Sequence, residues 1–128
     1  MNINDYIIND LEIQSVNQKT KEFKKLFDEL TYSHIPIEKN REFIGCISEN
    51  DVRCFDNEKN LEDYQYSLEH FSVRETNNWL DILESFAENN TNLMPVLSEE
   101  ENKYLGYIEL GDILMYLGET PFMDSPGA

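Results

Sequence analysis

The sequence predicts an α+β fold in which two β-α-β-β-α motifs pack as a pseudo-two-fold pair. The first observation behind this prediction is an internal repeat, whose matching residues stand 57 to 61 positions apart. The second is the hydrophobic pattern, which changes between helix-like and strand-like periods in the same order in both halves. Each half alone, at roughly 55 residues, buries too little apolar surface to be stable in water, so we expect the halves to pack together around a cleft.

The repeat consists of four residues that recur in the same order. They pair as Ser15 with Ser72, Pro36 with Pro95, Gly45 with Gly106, and Asp51 with Asp112. The offset grows from 57 to 59 and then to 61, so the second half gains two residues twice, each time where a loop is expected. Loops absorb insertions at small cost in free energy, which favours a structural repeat over coincidence.

Each half is predicted to begin with a short strand and a helix. The strands are expected at residues 15–16 and 72–73, and each helix has apolar residues at positions i, i+3, i+4 and i+7. These apolar residues are Phe23, Leu26, Phe27 and Leu30 in the first half and Trp79, Ile82, Leu83 and Phe86 in the second. Thr20 precedes the first of these helices and is predicted to cap it.

Two strands and a short helix complete each half. Residues 35–37 and 43–47 are predicted as strands around a polar turn, and residues 94–97 and 104–108 repeat them. Pro36 and Pro95 each stand at a strand start, where the missing N–H costs least. Short helices are expected at residues 50–55 and 110–117, and two further helices at residues 5–11 and 61–68.

The domain boundaries follow from the repeat and from the composition. Residues 1–55 are predicted to form the first motif, residues 56–60 a polar link, and residues 61–117 the second motif. Residues 118–128 contain two prolines and two glycines, which predicts a flexible tail or the start of a further segment of a longer protein.

The charge argues against two classes of binding partner. The chain has 10 Lys and Arg against 26 Asp and Glu, a formal net charge of −16, whereas nucleic acids and anionic membranes are bound mainly through Lys and Arg. There is no secretory-signal pattern at the start, and no apolar run approaches the roughly 20 residues that span a bilayer. We therefore expect a cytoplasmic protein that binds neither nucleic acid nor membrane.

The sequence offers no motif for catalysis or for a metal. It lacks a G-x-S-x-G pattern, an H-E-x-x-H pattern and a glycine-rich phosphate loop. Cys46 and Cys54 are expected to be free, mostly buried thiols, because their separation does not fit a zinc site. The acidic residues 98–101 are expected to form a solvated turn, with a divalent-cation site as the alternative. No catalytic residue, bound metal or required cofactor is therefore expected.

The repeated residues resemble a tandem CBS-domain pair, named after the cystathionine-β-synthase motif. The shared pattern is an apolar-Pro-apolar strand, a turn, an apolar-Gly strand, and then Ser/Thr-x-x-Asp at the start of a helix. It occurs at residues 32–37 and 45–52 in the first half and at residues 94–96 and 106–113 in the second. The resemblance covers nearly the whole chain, from residue 2 to residue 117.

The resemblance implies that an adenosine-containing ligand (AMP, ADP, ATP or S-adenosylmethionine) binds in the clefts between the motifs. Adenine would lie among apolar residues beside each proline, and the aspartate would receive the two ribose hydroxyls, which suit the acceptor oxygens of a carboxylate. The ligand-binding residues implied in this way are His34, Ile35, Pro36, Ile47, Ser48, Asp51, Arg53, Met94, Pro95, Glu109 and Asp112.

Several of these residues also have a structural explanation. Ser48 and Asp51 fit a helix cap as well as a ligand contact, and one residue can serve both purposes. His34 fits a structural role or a ligand contact, and Arg53 a solvated helix position or a phosphate contact. Glu109 departs from the family pattern, because a carboxylate there would repel a phosphate, so a neutral or cationic ligand suits the second cleft better.

The function implied is a non-catalytic, allosteric regulatory module of the kind used in energy sensing. Ligand occupancy would change the angle between the motifs or between subunits and so bias an effector domain or partner protein. A homodimer through the CBS helices is expected, with apolar residues of the last helix contributing. Two alternatives stay open: a dimerisation or interaction module without a ligand, and an acidic divalent-cation sensor.

Overall fold

The computed structural model describes residues 3–119 and contains two three-stranded sheets with the same strand order. The strands of the first sheet are β1 (Gln14–Ser15), β2 (His34–Lys39) and β3 (Glu42–Ser48), and those of the second are β4 (Val73–Arg74), β5 (Leu93–Leu97) and β6 (Tyr104–Glu109). In each sheet the middle strand pairs in parallel with the short strand and in antiparallel orientation with the last strand.

Four α-helices accompany these strands. They are α1 (Thr20–Glu29), α2 (Glu49–Val52), α3 (Trp79–Asn89) and α4 (Leu110–Glu119), and 3-10 helices cover Ile3–Tyr6 and Leu61–Ser67. Each half therefore runs β-α-β-β-α, which confirms the predicted α+β fold of two repeated motifs. The residue boundaries of the motifs stay a prediction, and the predicted tail lies outside the described residues from residue 120 onward. Within residues 3–119, no helix is long and apolar enough to cross a membrane.

The two strand pairs share one register, as the repeat in the sequence requires. Pro36 lies opposite Cys46 in the first sheet, and Pro95 lies opposite Tyr107 in the second. In both sheets the register shifts directly after the residue that follows the proline. The pseudo-two-fold relation between the halves therefore extends to individual residue positions, including Cys46 with Tyr107.

Helices α1 and α3 form where the apolar spacing predicts them. Phe23 and Phe27 are buried in the core of the first half, and Ile82 and Phe86 are buried in the core of the second. Burying one apolar stripe against a sheet is what stabilises such short helices, since helices of this length are marginal in isolation.

The predicted cap at Thr20 is wrong. Thr20 is itself the first residue of α1, and its hydroxyl donates to the carbonyl oxygen of Lys59 at 3.1 Å, so it ties α1 to the link between the halves. Helix α3 has a capping side chain instead, because Asn78 Oδ1 accepts a hydrogen bond from the backbone N–H of Asp81 at 2.9 Å.

Two extended segments, residues 7–10 and 68–71, cross between the halves, and we call them the crossing segments. The helix predicted at residues 5–11 is wrong: only Ile3–Tyr6 is helical, and Ile8 pairs with Tyr107 through backbone hydrogen bonds of 2.8 and 2.9 Å. Glu69 pairs in the same way with Cys46, through two bonds of 2.8 Å. The N-terminal segment therefore extends the second sheet, and the segment before β4 extends the first.

The repeated glycines lie where the crossing segments pass. Gly45 and Gly106 have φ values of +138° and +148°, which side-chain-bearing residues rarely adopt. A Cβ on Gly45 would lie 2.9 Å from the carbonyl oxygen of Glu69, and one on Gly106 would lie 2.5 Å from that of Ile8. Only glycine fits between the strand and the crossing segment at these two positions.

Each sheet has an apolar core that also takes residues from the other half, such as Cys46 in the second core and Leu61 in the first, and a third cluster joins both halves. The two cores contain Ile35, Ile37 and Ile47 in the first half and Met94, Val96 and Ile108 in the second, all fully buried. The third cluster consists of Leu11, Leu93 and Tyr107, with Tyr32 packed against it. The halves are therefore joined by apolar packing as well as by the crossing segments.

Both cysteines are free thiols, as the sequence predicts. Cys46 is buried, and burial raises the pKa of its thiol well above the ordinary value. Cys54 is exposed, so the expectation of a mostly buried thiol is wrong there. The reason is that Cys54 lies just past the end of α2, on the solvent side of the chain.

Candidate functional site

A cavity of about 390 Å³ opens between the two halves, and we call it the first cleft. It is lined by Ser33, His34, Ser48, Glu49, Asn50, Asp51, Glu69, Asn89 and Asn90. These residues come from the start of β2, the junction of β3 with α2, the crossing segment 68–71 and the end of α3. Of the residues that the resemblance implies, the first cleft brings together His34, Ser48 and Asp51.

Ser48 and Asp51 stand where β3 passes into α2. The hydroxyl of Ser48 accepts a hydrogen bond from the backbone N–H of Asp51 at 3.1 Å, so Ser48 caps the helix. The side chain of Asp51 is half-buried at the wall of the cleft, and within residues 3–119 its carboxylate has no hydrogen-bond partner. Capping therefore explains the serine, whereas the aspartate keeps acceptor oxygens that a diol could use.

His34 is held by protein groups on both ring nitrogens. Its Nε2 lies 3.0 Å from Glu69 Oε2, its Nδ1 lies 2.7 Å from Ser33 Oγ, and its ring meets that of Phe71 edge-on at 5.1 Å. Only 5% of the residue is exposed. These contacts support the structural explanation of His34, although part of the residue lines the cleft.

Carboxylates dominate the first cleft. Glu49, Asp51 and Glu69 line it, and none of its lining residues is Lys or Arg. The guanidinium of Arg53, which was expected to contact a ligand, donates instead to Glu49 at 2.8 Å and to Asp28 at 2.7 Å, and these hydrogen bonds raise the pKa of Arg53. The structure does not bring Arg53 into the cavity, so the first cleft is negatively charged.

The apolar residues predicted to lie beside the ligand are deeper than the cavity. Ile35, Ile47 and Met94 are fully buried in the sheet cores, and Pro36 and Pro95 are buried within the middle strands. None of the five lines the first cleft. They support the strands whose ends form its walls.

The equivalent place in the second half, which we call the second cleft, surrounds Glu109 and Asp112. Glu109 stands where the first half has Ser48, and the hydroxyl of Tyr32 donates to its Oε1 at 2.5 Å. The hydroxyl of Tyr107 donates to Asp10 Oδ1 at 2.6 Å, and the two tyrosine oxygens lie 2.7 Å apart. Neither Glu109 nor Asp112 is among the residues that line the first cleft.

The two tyrosines of the second cleft keep their protons over a wide pH range. Burial, and then the hydrogen bond to Glu109, raises the pKa of Tyr32 to about 12. Burial, followed by the hydrogen bond to Asp10, raises the pKa of Tyr107 as well. Both hydroxyls consequently act as hydrogen-bond donors at neutral pH.

Among the residues that shape the clefts and were missed from the sequence are Glu69, Asn89, Asn90 and Tyr32. Glu69 could be found only by knowing that a crossing segment pairs with the first sheet. Asn89 and Asn90 follow the last apolar residue of α3, where an asparagine commonly ends a helix, and Asn90 has the left-handed φ of +48° that this requires. Tyr32 carried no signal, because its partner Glu109 is 77 positions away.

The comparisons with known proteins agree with this geometry. Residues 65–119 match the family model of the CBS domain. A CBS domain pair/ACT domain protein from Thermotoga maritima is similar over 91% of this chain and 96% of its own, with a TM-score of 0.79 and 19% identity. No curated protein sequence matches the chain.

Two further solved structures of this fold contain a nucleotide. CBSX2 in complex with AMP is similar over 90% of this chain and 94% of its own, with a TM-score of 0.68 and 17% identity. The CBS domain of a bacterial CNNM/CorC family Mg²⁺ transporter in complex with ATP is similar over 89% and 84%, with a TM-score of 0.67 and 13% identity. At these identities the similarities establish the fold and not the ligand.

Proposed function

Because residues 65–119 match the CBS domain and the chain has the fold of a CBS-domain pair, we propose that it is a non-catalytic regulatory module whose first cleft binds an adenosine-containing ligand. The observation that carries the proposal is the carboxylate of Asp51, which has no hydrogen-bond partner among residues 3–119 and lies at the wall of a cavity between the halves. The AMP and ATP complexes of proteins with the same fold support it.

The chemistry of the first cleft suits a ribose better than a chain of phosphates. A carboxylate can accept both vicinal hydroxyls of a ribose, and the amide of Asn90 supplies donors and an acceptor from the other half. Asp51 and Glu69, which form no ion pair with a Lys or Arg of residues 3–119, oppose the approach of phosphates, whereas Glu49 is paired with Arg53. Within the adenosine class we therefore propose S-adenosylmethionine and AMP ahead of ADP and ATP.

Regulation would follow from the way the cleft is built. Asp51 belongs to the first half and Asn89 to the second, so a ligand that contacts both would fix the halves in one relative position. A ligand shifts a conformational equilibrium by its difference in affinity between the two states. An attached effector domain or a partner protein would respond to that shift in the conformational equilibrium.

Thermal unfolding with a set of ligands tests the proposal. We expect AMP or S-adenosylmethionine at 100 times its dissociation constant to add about 2.7 kcal/mol to the free energy of unfolding, a rise of several degrees in Tm. Asp51→Asn should abolish the rise, whereas the matched control Asp112→Asn should keep it. If none of AMP, ADP, ATP and S-adenosylmethionine raises the Tm, the proposed function is wrong.

One observation favours a second function, dimerisation through α3 and α4. Leu80, Leu114 and Met115 are 58%, 52% and 64% exposed, although each is large and apolar. We propose that a second copy of the chain covers this face, because burying exposed apolar surface stabilises association. Dimerisation is compatible with ligand binding in the first cleft.

The other predictions concern a metal ion, the cellular location and nucleic-acid binding. Among the described residues, no three His, Cys, Asp or Glu side chains converge in an arrangement that could hold a metal ion, so no observation favours the cation-sensor alternative. A cytoplasmic location and the absence of nucleic-acid binding stay predictions, based on the net charge of −16.

A further inference from the structure

We infer that the chain binds one ligand and not two, because its own side chains close the second cleft. The inference rests on the proposed function of the first cleft. It concerns the pseudo-two-fold repeat, which by itself would provide two equivalent cavities.

At two positions where the halves differ, a tyrosine side chain fills the second cleft. Tyr107 stands where the first half has Cys46, and Tyr32 stands where the second half has Thr91. The two tyrosine rings meet edge-on, with their centroids 5.2 Å apart and their planes at 71°. Two aromatic rings therefore occupy positions at which the other half has the smaller thiol of Cys46 and hydroxyl of Thr91.

The ring of Tyr107 is part of a packed core and cannot easily move aside. Tyr107 is 1% exposed and packs in a cluster with Leu11 and Leu93. Leu93 is itself a difference between the halves, since its equivalent is His34, which lines the first cleft. Moving Tyr107 out would leave an apolar void, and cavities of that size cost several kcal/mol.

Polar contacts hold both tyrosines in place. Tyr32 donates to Glu109, the residue at the Ser48 position, so Glu109 is already engaged with a protein donor. Tyr107 donates to Asp10 and exchanges backbone hydrogen bonds with Ile8, both in the crossing segment 7–10. In the first half the equivalent crossing segment places Glu69 at the edge of an open cavity instead.

Isothermal titration calorimetry with AMP and with S-adenosylmethionine measures the number of sites. We expect one ligand per chain, loss of binding in Asp51→Asn, and affinity within about twofold of wild type in Asp112→Asn. Two ligands per chain, or one ligand that is lost in Asp112→Asn and kept in Asp51→Asn, would overturn the inference while leaving nucleotide binding intact. Absence of binding to either compound would remove the proposed function and the inference with it.

A second experiment opens the cleft. The triple variant Y32T/Y107C/E109S gives each of these three positions the residue of its equivalent (Thr91, Cys46 and Ser48), and we expect it to bind two ligands per chain. Because replacing the buried Tyr107 can unfold the domain, Tyr32→Ala alone is measured beside it, and a cooperative melt together with binding at the first cleft shows that a variant is folded. One ligand per chain in both folded variants would contradict closure by these side chains.

Discussion

Ser33 and Asn92, which occupy equivalent positions in the two halves, bind each other across the interface between them. The backbone N–H of Ser33 donates to Asn92 Oδ1 at 2.8 Å, and the backbone N–H of Asn92 donates to Ser33 Oγ at 3.2 Å. Each residue thus satisfies a backbone donor of the other half. This reciprocal pair lies beside the first cleft, because Ser33 also lines the cavity.

Replacing Asn92 tests the importance of this pair. Asn92→Ala leaves the N–H of Ser33 without its acceptor and removes the bond from Asn92 Nδ2 to the carbonyl of Thr31. We expect unfolding free energy to fall by about 1–3 kcal/mol, the usual cost of an unsatisfied polar group. Urea denaturation measures it, with Asn17→Ala at an exposed position as the control; equal effects in the two variants would contradict the prediction.

Alanine substitutions at the glycines test the close passage of the crossing segments. Gly106→Ala would place a Cβ 2.5 Å from the Ile8 carbonyl oxygen at a φ of +148°. We expect a loss of at least about 2 kcal/mol in unfolding free energy, because backbone strain and a clash add together. In the matched control Gly111→Ala, the new Cβ meets nothing within 4 Å and lies in α4, so we expect a gain of about 0.5–1 kcal/mol. Chemical denaturation measures the unfolding free energy of both variants and distinguishes the expected loss from the expected gain.

Stability should fall at alkaline pH through Tyr32. In the folded protein its pKa is raised to about 12, whereas in the unfolded chain it is about 10. The folded state therefore holds its proton more tightly, so this contribution is fully present below about pH 10 and is lost as pH rises through about 12. Unfolding free energies measured between about pH 9 and 11 should decline less steeply in Tyr32→Phe than in wild type. Parallel declines would show that Tyr32 is not responsible.

The charge of the first cleft should set the order of nucleotide affinity. Without divalent cations we expect ATP to bind more weakly than AMP, because the carboxylates of Asp51 and Glu69 repel the additional phosphates. Glu69→Gln removes one charge, keeps an acceptor oxygen near His34 and should raise ATP affinity roughly fivefold, after allowing for solvent screening. The exposed Glu100→Gln serves as the control in calorimetry, and a similar gain there would assign the effect to overall charge.

The exposed face of α3 and α4 should control the oligomeric state. The double variant L114E/M115E places two charges among residues that are exposed and apolar in the single chain. If a second copy covers this face, sedimentation velocity should show a dimer for wild type and a monomer for the variant, since buried unpaired charges are costly. A monomeric wild-type protein, or a variant that stays dimeric, would place the interface elsewhere or remove it.

Much of the fold could be predicted because its helices and strands follow from short local patterns in the sequence. Phe23 and Phe27 follow the helical period, and Pro36 with Pro95 marks the same strand in both halves. The helix expected at residues 5–11 failed, because Ile8 is held extended by its pairing with Tyr107, which is 99 positions away in the chain. A local hydrophobic pattern cannot predict pairing with a strand that is distant in the sequence and comes close only in the tertiary fold.

The candidate site could be predicted only in part for the same reason. Ser48 and Asp51 lie within one short motif, so their spacing could be recognised from the sequence alone. Arg53 belongs to the same stretch, but its partner Asp28 comes from α1 and draws it away from the cavity. The closure of the second cleft required Tyr32 to meet Glu109 across the halves, which no spacing rule anticipates.

The crossing segments determine which fragments of this protein can be produced separately in soluble form. A recombinant fragment that starts after residue 11 would expose the backbone edge of β6, and a fragment that stops before residue 68 would expose that of β3. An uncovered edge strand recruits other chains and leads to aggregation. Deletion mapping of a binding partner should therefore retain residues 3–119 together, because splitting the pair at the link would yield insoluble material irrespective of where the partner binds.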